Sequence, residues 1–344
     1  MDQAAGQALA RSLAIGSLGG AVFHATGLPL AWMLGPLVAN LLATARGLDV
    51  RVPERLREAF LGVLGLVLGS QVTRQLAERL VDWPLSAALL LAGVAASTAA
   101  AAAWYRRCGF DSVSAWFASA PGAMTAMILM GEKGGGDPQR IAIAQSLRVV
   151  LVVLILPPLF WAYEGAAGEV QAEAMARGFA GLWMLPVLPL LFPLGRWLRL
   201  PTPTLLTPLL FAALLSGFDI ASLQLEEWGL NLMLWVLGCA IGARFRGLSS
   251  VRLGRYLGQA LVATLVALAV LSLFAELIHR LVGVPRDVAL LALAPGGIGE
   301  MAILAVALDL DPVFVAFHHL LRMIVLMFCA PLWARWLQRR AASG

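Results

Sequence analysis

Two stretches of the chain match without a gap at a fixed distance of 174 residues, and each sets an arginine in the middle of an apolar segment. The first runs through Ala120-Pro121-Gly122, Asp137-Pro138, Arg148 and Pro157. The second runs through Ala294-Pro295-Gly296, Asp311-Pro312, Arg322 and Pro331. A doubled hydrophobic half with a Pro-Gly interruption and a deep charge is the pattern of a membrane carrier built from two repeats. The fold class it predicts is an all-α polytopic membrane protein.

Composition agrees. Apolar residues make up 60% of the chain and charged residues 13%, with a mean hydropathy of +0.83. A soluble domain carries about 25% charged residues. Six apolar segments fall in each half, near 8–25, 28–45, 56–72, 84–104, 112–131 and 138–162, then 178–195, 200–217, 224–243, 253–278, 287–308 and 312–336. Most approach the roughly 20 residues that a bilayer core requires. The polar stretches between them are too short for a soluble catalytic or DNA-binding module. The net charge of +5 comes from arginines scattered through short loops, so no nucleic-acid partner is expected. Cys108, Cys239 and Cys329 lack CxxC spacing and read as free thiols. Met1-Asp2-Gln3 lacks the basic start of a cleaved signal, and the first apolar segment is expected to remain a helix.

The halves agree further. Pro29 and Pro36 recur as Pro201 and Pro208, and Val67-Leu68-Gly69 as Val236-Leu237-Gly238. Gly65/Gly69 and Gly238/Gly242 are GxxxG pairs, which let helix backbones approach closely in lipid. The expected organisation is a first repeat at 1–163, an extracytoplasmic linker at 164–177 and a second repeat at 178–344.

If every segment crosses, basic residues divide almost evenly between the two sides. If the fifth segment of each half instead enters and returns at its Pro-Gly break, each half crosses five times and the repeats are inverted. The 46–58 loop, Arg106, Arg107, Lys133, Arg140, Arg196, Arg199, the 244–255 loop and the C-terminal arginines then share one face. Arg74, Arg79, Arg177, Arg280 and Arg286 take the other. That bias places both termini in the cytoplasm, in the cell inner (plasma) membrane.

Asp137-Pro138 and Asp311-Pro312 read as helix starts, with Asp capping and Pro in the first turn. Arg148 and Arg322 follow ten residues later, about 15 Å along their helices. An intramembrane charge of this kind marks function, or else an arginine held by carbonyls at broken helix ends. The breaks at Pro121-Gly122 and Pro295-Gly296-Gly297 remove a donor and free the backbone. The half-helix after each break would offer N–H groups to an anion, with Thr125 and Gln145 nearby. Glu300 follows the second break, where the first half has Ala126. His319 stands three before Arg322, as Gln145 stands three before Arg148. Glu300 and His319 are the candidates for carrying a proton. His318, about 100° round the helix, reads as an interhelical packing residue.

Ala294-Pro295-Gly296-Gly297 with Glu300-Met301, and the His319/Arg322 pair, resemble the AbrB family of integral membrane proteins, some of which carry an ammonia monooxygenase label. The resemblance covers nearly the whole chain. Its names imply gene regulation or oxidation, and the residues support neither.

The function expected is therefore secondary-active transport of a small anionic organic solute, with proton coupling as an option, without enzymatic activity and without cofactor or metal. The solute site, expected at the midplane between the two broken helices, comprises Arg148, Arg322, Pro121, Gly122, Thr125, Gln145, Pro295, Gly296 and Gly297, with Glu300 and His319 coupling a proton. The alternatives are a solute-binding membrane sensor that regulates gene expression and a membrane oxidase. The sensor would dock through the 46–58 and 244–255 loops. The oxidase would have to find metal ligands among four histidines. The partners expected are the lipid bilayer and the solute, and a homo-oligomer is allowed.

Overall fold

The computed structural model describes residues 3–28, 30–72, 83–164, 181–245 and 250–342. Most of the expected 164–177 linker, Pro29, Arg74 and Arg79 lie outside them. Among the described residues the regular structure is helical, in fourteen α-helices. The first half contributes α1 (Gln3–Ala25), α2 (Ala31–Ala45), α3 (Glu54–Ser70), α4 (Trp83–Arg107), α5 (Ser112–Ser119), α6 (Met124–Lys133) and α7 (Pro138–Glu164). After a 3₁₀ turn at Leu182–Val187, the second contributes α8 (Leu188–Trp197), α9 (Pro203–Gly217), α10 (Glu227–Gly242), α11 (Ser250–Val282), α12 (Arg286–Leu293), α13 (Ile298–Ala307) and α14 (Pro312–Ala342). Among the described residues five spans, Trp83–Arg107, Pro138–Phe160, Glu227–Phe245, Gly254–Val282 and Pro312–Ala334, are long and apolar enough to cross a bilayer. The chain is a multi-pass helical membrane protein.

It divides into two compact units, each drawing corresponding helices from both halves of the sequence. One holds residues 1–81, 156–250 and 302–313, and the other holds 82–155, 251–301 and 314–344.

In the first unit the GxxxG pairs explain the packing. A methyl on Gly65 would overlap the Leu205 carbonyl, and one on Gly69 the Leu209 carbonyl, so α3 lies directly on the backbone of α9. Gly238 and Gly242 meet the Met33 and Leu37 carbonyls in the same way, which lays α10 on α2. The third helix of each half therefore packs on the second helix of the other. These contacts pair Gly65 with Gly238 and Gly69 with Gly242. The Val67-Leu68-Gly69 match read from sequence is thus one helical turn out of register, because a composition-poor tripeptide fits either glycine. Both second helices begin on a left-handed residue, Leu30 (φ 49°) and Thr202 (φ 44°). That conformation costs a non-glycine residue about 1 kcal/mol. The same strain occurs at the start of both helices.

In the second unit, small residues bring α4, α5, α7 and α11 together through Ala101, Ala102, Ala115, Ala118, Ala144 and Ala263. The Asp137 carboxylate accepts from Gln139 and Arg140 N–H at 2.9 and 3.1 Å, and Asp311 accepts from Val313 N–H at 3.1 Å. Both aspartates start their helices as the sequence indicates. The fifth segments are each two helices. α5 stops at Ser119 and α6 begins at Met124, while α12 stops at Leu293 and α13 begins at Ile298.

Candidate functional site

Each break leaves helix-end carbonyls without intrahelical partners, and these carry the negative end of the helix dipole. The buried arginines are aimed at them. Arg148 Nη1 donates to the Ala118 and Ser119 carbonyls at 3.4 and 3.2 Å. Arg322 Nη1 donates to Leu293 and Ala294 at 3.3 and 2.7 Å, and its Nη2 to Gly296 at 2.8 Å. Pro121 and Pro295 are buried inside the breaks. Ala120 and Ala294, which precede them, are extended (ψ 121° and 139°), as a following proline requires.

Gln145 and His319 perform one task with different chemistry. The Gln145 amide oxygen accepts from Arg148 Nη2 at 3.1 Å, and its nitrogen donates to the Phe117 and Ala120 carbonyls at 2.6 and 3.0 Å. His319 Nδ1 faces Arg322 Nη2 at 2.8 Å and Nε2 faces the Leu291 carbonyl at 3.0 Å. Leu291 is the repeat counterpart of Phe117. A guanidinium only donates, so Nδ1 accepts and Nε2 carries the hydrogen. In this arrangement the imidazole is neutral, an acceptor toward the arginine and a donor toward the backbone, as the amide is. All of these side chains are buried. Among the described residues, the buried Nε of each guanidinium has no hydrogen-bond partner.

The breaks differ on their other side, at the start of the following half-helix. Glu300 stands third in α13, and its carboxylate folds back over Gly297, occupying the space where a Cβ would lie. An acid in that position meets the exposed N–H groups and the positive dipole end. The first break has Ala123 and Ala126 at the corresponding positions. The glycine and the acid thus occur together in one half and are both alanine in the other. Thr125, in the first turn of α6, is exposed.

Met127 and Met301, also 174 apart, are buried against Gly122 and Gly296 and close each break with a flexible side chain. Comparing the repeats five residues past each Pro-Gly would have found them. His318 shares a 2.9 Å hydrogen bond with Ser86 Oγ on α4 and packs among Trp83, Phe314 and Phe317. Among the described residues no three His, Cys, Asp or Glu side chains converge to hold a metal.

Fold and site together define a polytopic helical membrane protein with two arginine-locked helix breaks. Comparison with known proteins makes the class particular: the family profile described as "Transition state regulatory protein AbrB" matches residues 32–338, and the chain belongs to that family. It is similar to the "Putative regulator AbrB" of Escherichia coli (strain K12), 28% identical with 93% of each chain covered. It is also similar to "Uncharacterized protein YhjN" of Bacillus subtilis (strain 168), 26% identical with 93% of this chain and 90% of the relative covered.

Proposed function

We propose that the protein is a secondary-active transporter of a small anionic organic solute, not an enzyme, and that the solute is seated at the first helix break. One observation carries the reading: two breaks share an arginine lock, yet only the second has a carboxylate over the half-helix that follows. A helix N-terminus attracts an anion through its free N–H groups and dipole. At α13 Glu300 supplies that anion from within the chain. At α6 none is built in, so the positive end facing Gly122, Ala123 and Thr125 is the seat for a solute carboxylate. Arg148 and Arg322 act from behind, holding the preceding half-helices and adding positive charge that their neutral partners solvate without cancelling.

Glu300 is the proton carrier in this reading, since a proton on its carboxylate would release the α13 terminus. Coupling through His319 would require the lock to open, because a protonated Nδ1 cannot accept from Arg322. We read the halves as inverted repeats whose broken segments enter and return, with both termini cytoplasmic in the inner membrane. The bias of arginines to one face and the reciprocal glycine packing support this. Transport would alternate by rocking of one bundle against the other.

The test is uptake of labelled short carboxylates into proteoliposomes. The double variant Ala123→Gly/Ala126→Glu gives the first break its own carboxylate together with the glycine that makes room for it, and should abolish uptake while leaving the melting temperature near wild type. Uptake equal to wild type in that variant would place the seat elsewhere.

A regulatory reading rests on the names of the family and of the E. coli relative. It predicts a stable protein partner captured by the 46–58 loop and no solute flux.

A further inference from the structure

At one end of the second unit, three spanning helices surround a cavity of about 370 Å³. Its wall is formed by Cys108, just after α4, by Gln139 and Arg140 in the first turn of α7, and by Arg255, Tyr256 and Gln259 in α11. These positions lie where the spans Trp83–Arg107, Pro138–Phe160 and Gly254–Val282 end or begin. That is the depth of the lipid head groups in a bilayer. Trp104 pins the wall by donating to the Gln259 carbonyl at 3.0 Å.

The two arginines are not equivalent. Arg140 is committed: it donates to the Gly109 carbonyl at 2.9 Å, lies 3.3 Å from the Asp137 carboxylate and sits 5.5 Å from the centre of the Phe110 ring. Its charge is largely answered. Arg255 is exposed and has no hydrogen-bond or ion-pair partner among the described residues, so one guanidinium fork remains available to a phosphate. Gln259 Oε1 is buried without a partner. It calls for a donor, which a phosphate lacks and a hydroxyl supplies. A ligand that answers both groups carries one negative phosphate and, beyond it, a hydroxyl.

We propose that this cavity binds a phosphate ester bearing a hydroxyl group, with Arg255 holding the phosphate and Gln259 the hydroxyl. A glycerol-headed phospholipid of the adjoining leaflet and a soluble glycerol phosphate share that chemistry. The site is separate from the helix breaks, and its failure would leave the transport reading untouched.

Cys108 reports on occupancy. Partial burial already holds its thiol above the ordinary value, and a phosphate seated beside it disfavours the thiolate further and slows alkylation. The experiment measures maleimide labelling of the Cys108 peptide, by mass spectrometry, in full-length protein in nanodiscs. Three preparations are compared: phosphatidylcholine alone, phosphatidylcholine with phosphatidylglycerol, and phosphatidylcholine with added glycerol 3-phosphate. Labelling should slow about fivefold when the site fills, and Arg255→Gln should weaken binding about tenfold, as expected for one lost charge-assisted hydrogen bond. Gln259→Leu should weaken it as well, through a side chain that leaves the Trp104 bond intact. Protection by phosphatidylglycerol alone identifies the lipid as the source, and protection by glycerol phosphate identifies a soluble ester. No protection by either, or protection unchanged in both variants, would overturn the proposal.

Discussion

The two helix breaks are built to one plan on the side of the helix that ends and to two plans on the side of the helix that begins. Behind the break, Arg148 with Gln145 and Arg322 with His319 bind equivalent stretches of backbone. Ahead of it, Glu300 covers the start of α13, while Ala126 leaves the start of α6 without an acid. A shared lock points to a structural need common to both halves: exposed carbonyls deep in an apolar unit must be satisfied. A feature present in one half only answers to something else, and here it is the charge of the group that sits at the helix start.

The largest expected effect tests the shared part. Arg322→Ala strips donors from three buried carbonyls and an imidazole, and Arg148→Ala from two carbonyls and an amide. A buried acceptor left without its donor costs about 1–3 kcal/mol, and several are orphaned at once, so both variants should melt far below wild type in detergent, Arg322→Ala further. Equal melting of either variant and wild type would remove the lock from the account. Next come the glycine contacts, where the halves are alike. Gly65→Ala and Gly238→Ala should each cost about 1–3 kcal/mol by overpacking, and should cost nearly the same. A cost confined to one of them would break that likeness in the first unit.

A third test isolates the asymmetric part. Gly297→Ala drives a methyl into the Glu300 carboxylate, whereas in Gly297→Ala/Glu300→Ala the second break copies the first. The double variant should recover stability relative to the single, with a coupling of about 0.5–3 kcal/mol. Additive losses would mean that the glycine and the acid are unrelated. The smallest effect is predicted for His319→Gln and Gln145→His, which exchange one acceptor-and-donor side chain for the other. Each should change stability by less than about 1 kcal/mol, while His319→Leu, which cannot accept, should lose far more in the same melting assay.

Much of this was legible in the chain. The helix starts at Asp137 and Asp311, the breaks at Pro121 and Pro295 and the packing role of His318 follow from local rules about capping, backbone freedom and helical phase. The depth of the arginines followed from counting rise along a helix. What the arginines touch did not, because a guanidinium reaches carbonyls 26 to 30 residues away in sequence, and no periodicity encodes that reach. The tautomer of His319 was hidden for the same reason, since it is set by a donor and a carbonyl that meet only in the fold. The GxxxG pairs were read in the register that the contacts support, whereas the Val67-Leu68-Gly69 match was read one turn out because a tripeptide cannot say which carbonyl its glycine faces. The division into two compact units was also invisible, as each unit gathers helices from both ends of the chain.

The most direct test of the asymmetry is the anion-dependent melting temperature of purified protein titrated with acetate, succinate and glutamate. The account predicts that a carboxylate stabilises wild type, that Ala123→Gly/Ala126→Glu abolishes the shift, and that Glu300→Gln, by uncovering the second helix start, enlarges it. A shift in Ala123→Gly/Ala126→Glu as large as in wild type would contradict it.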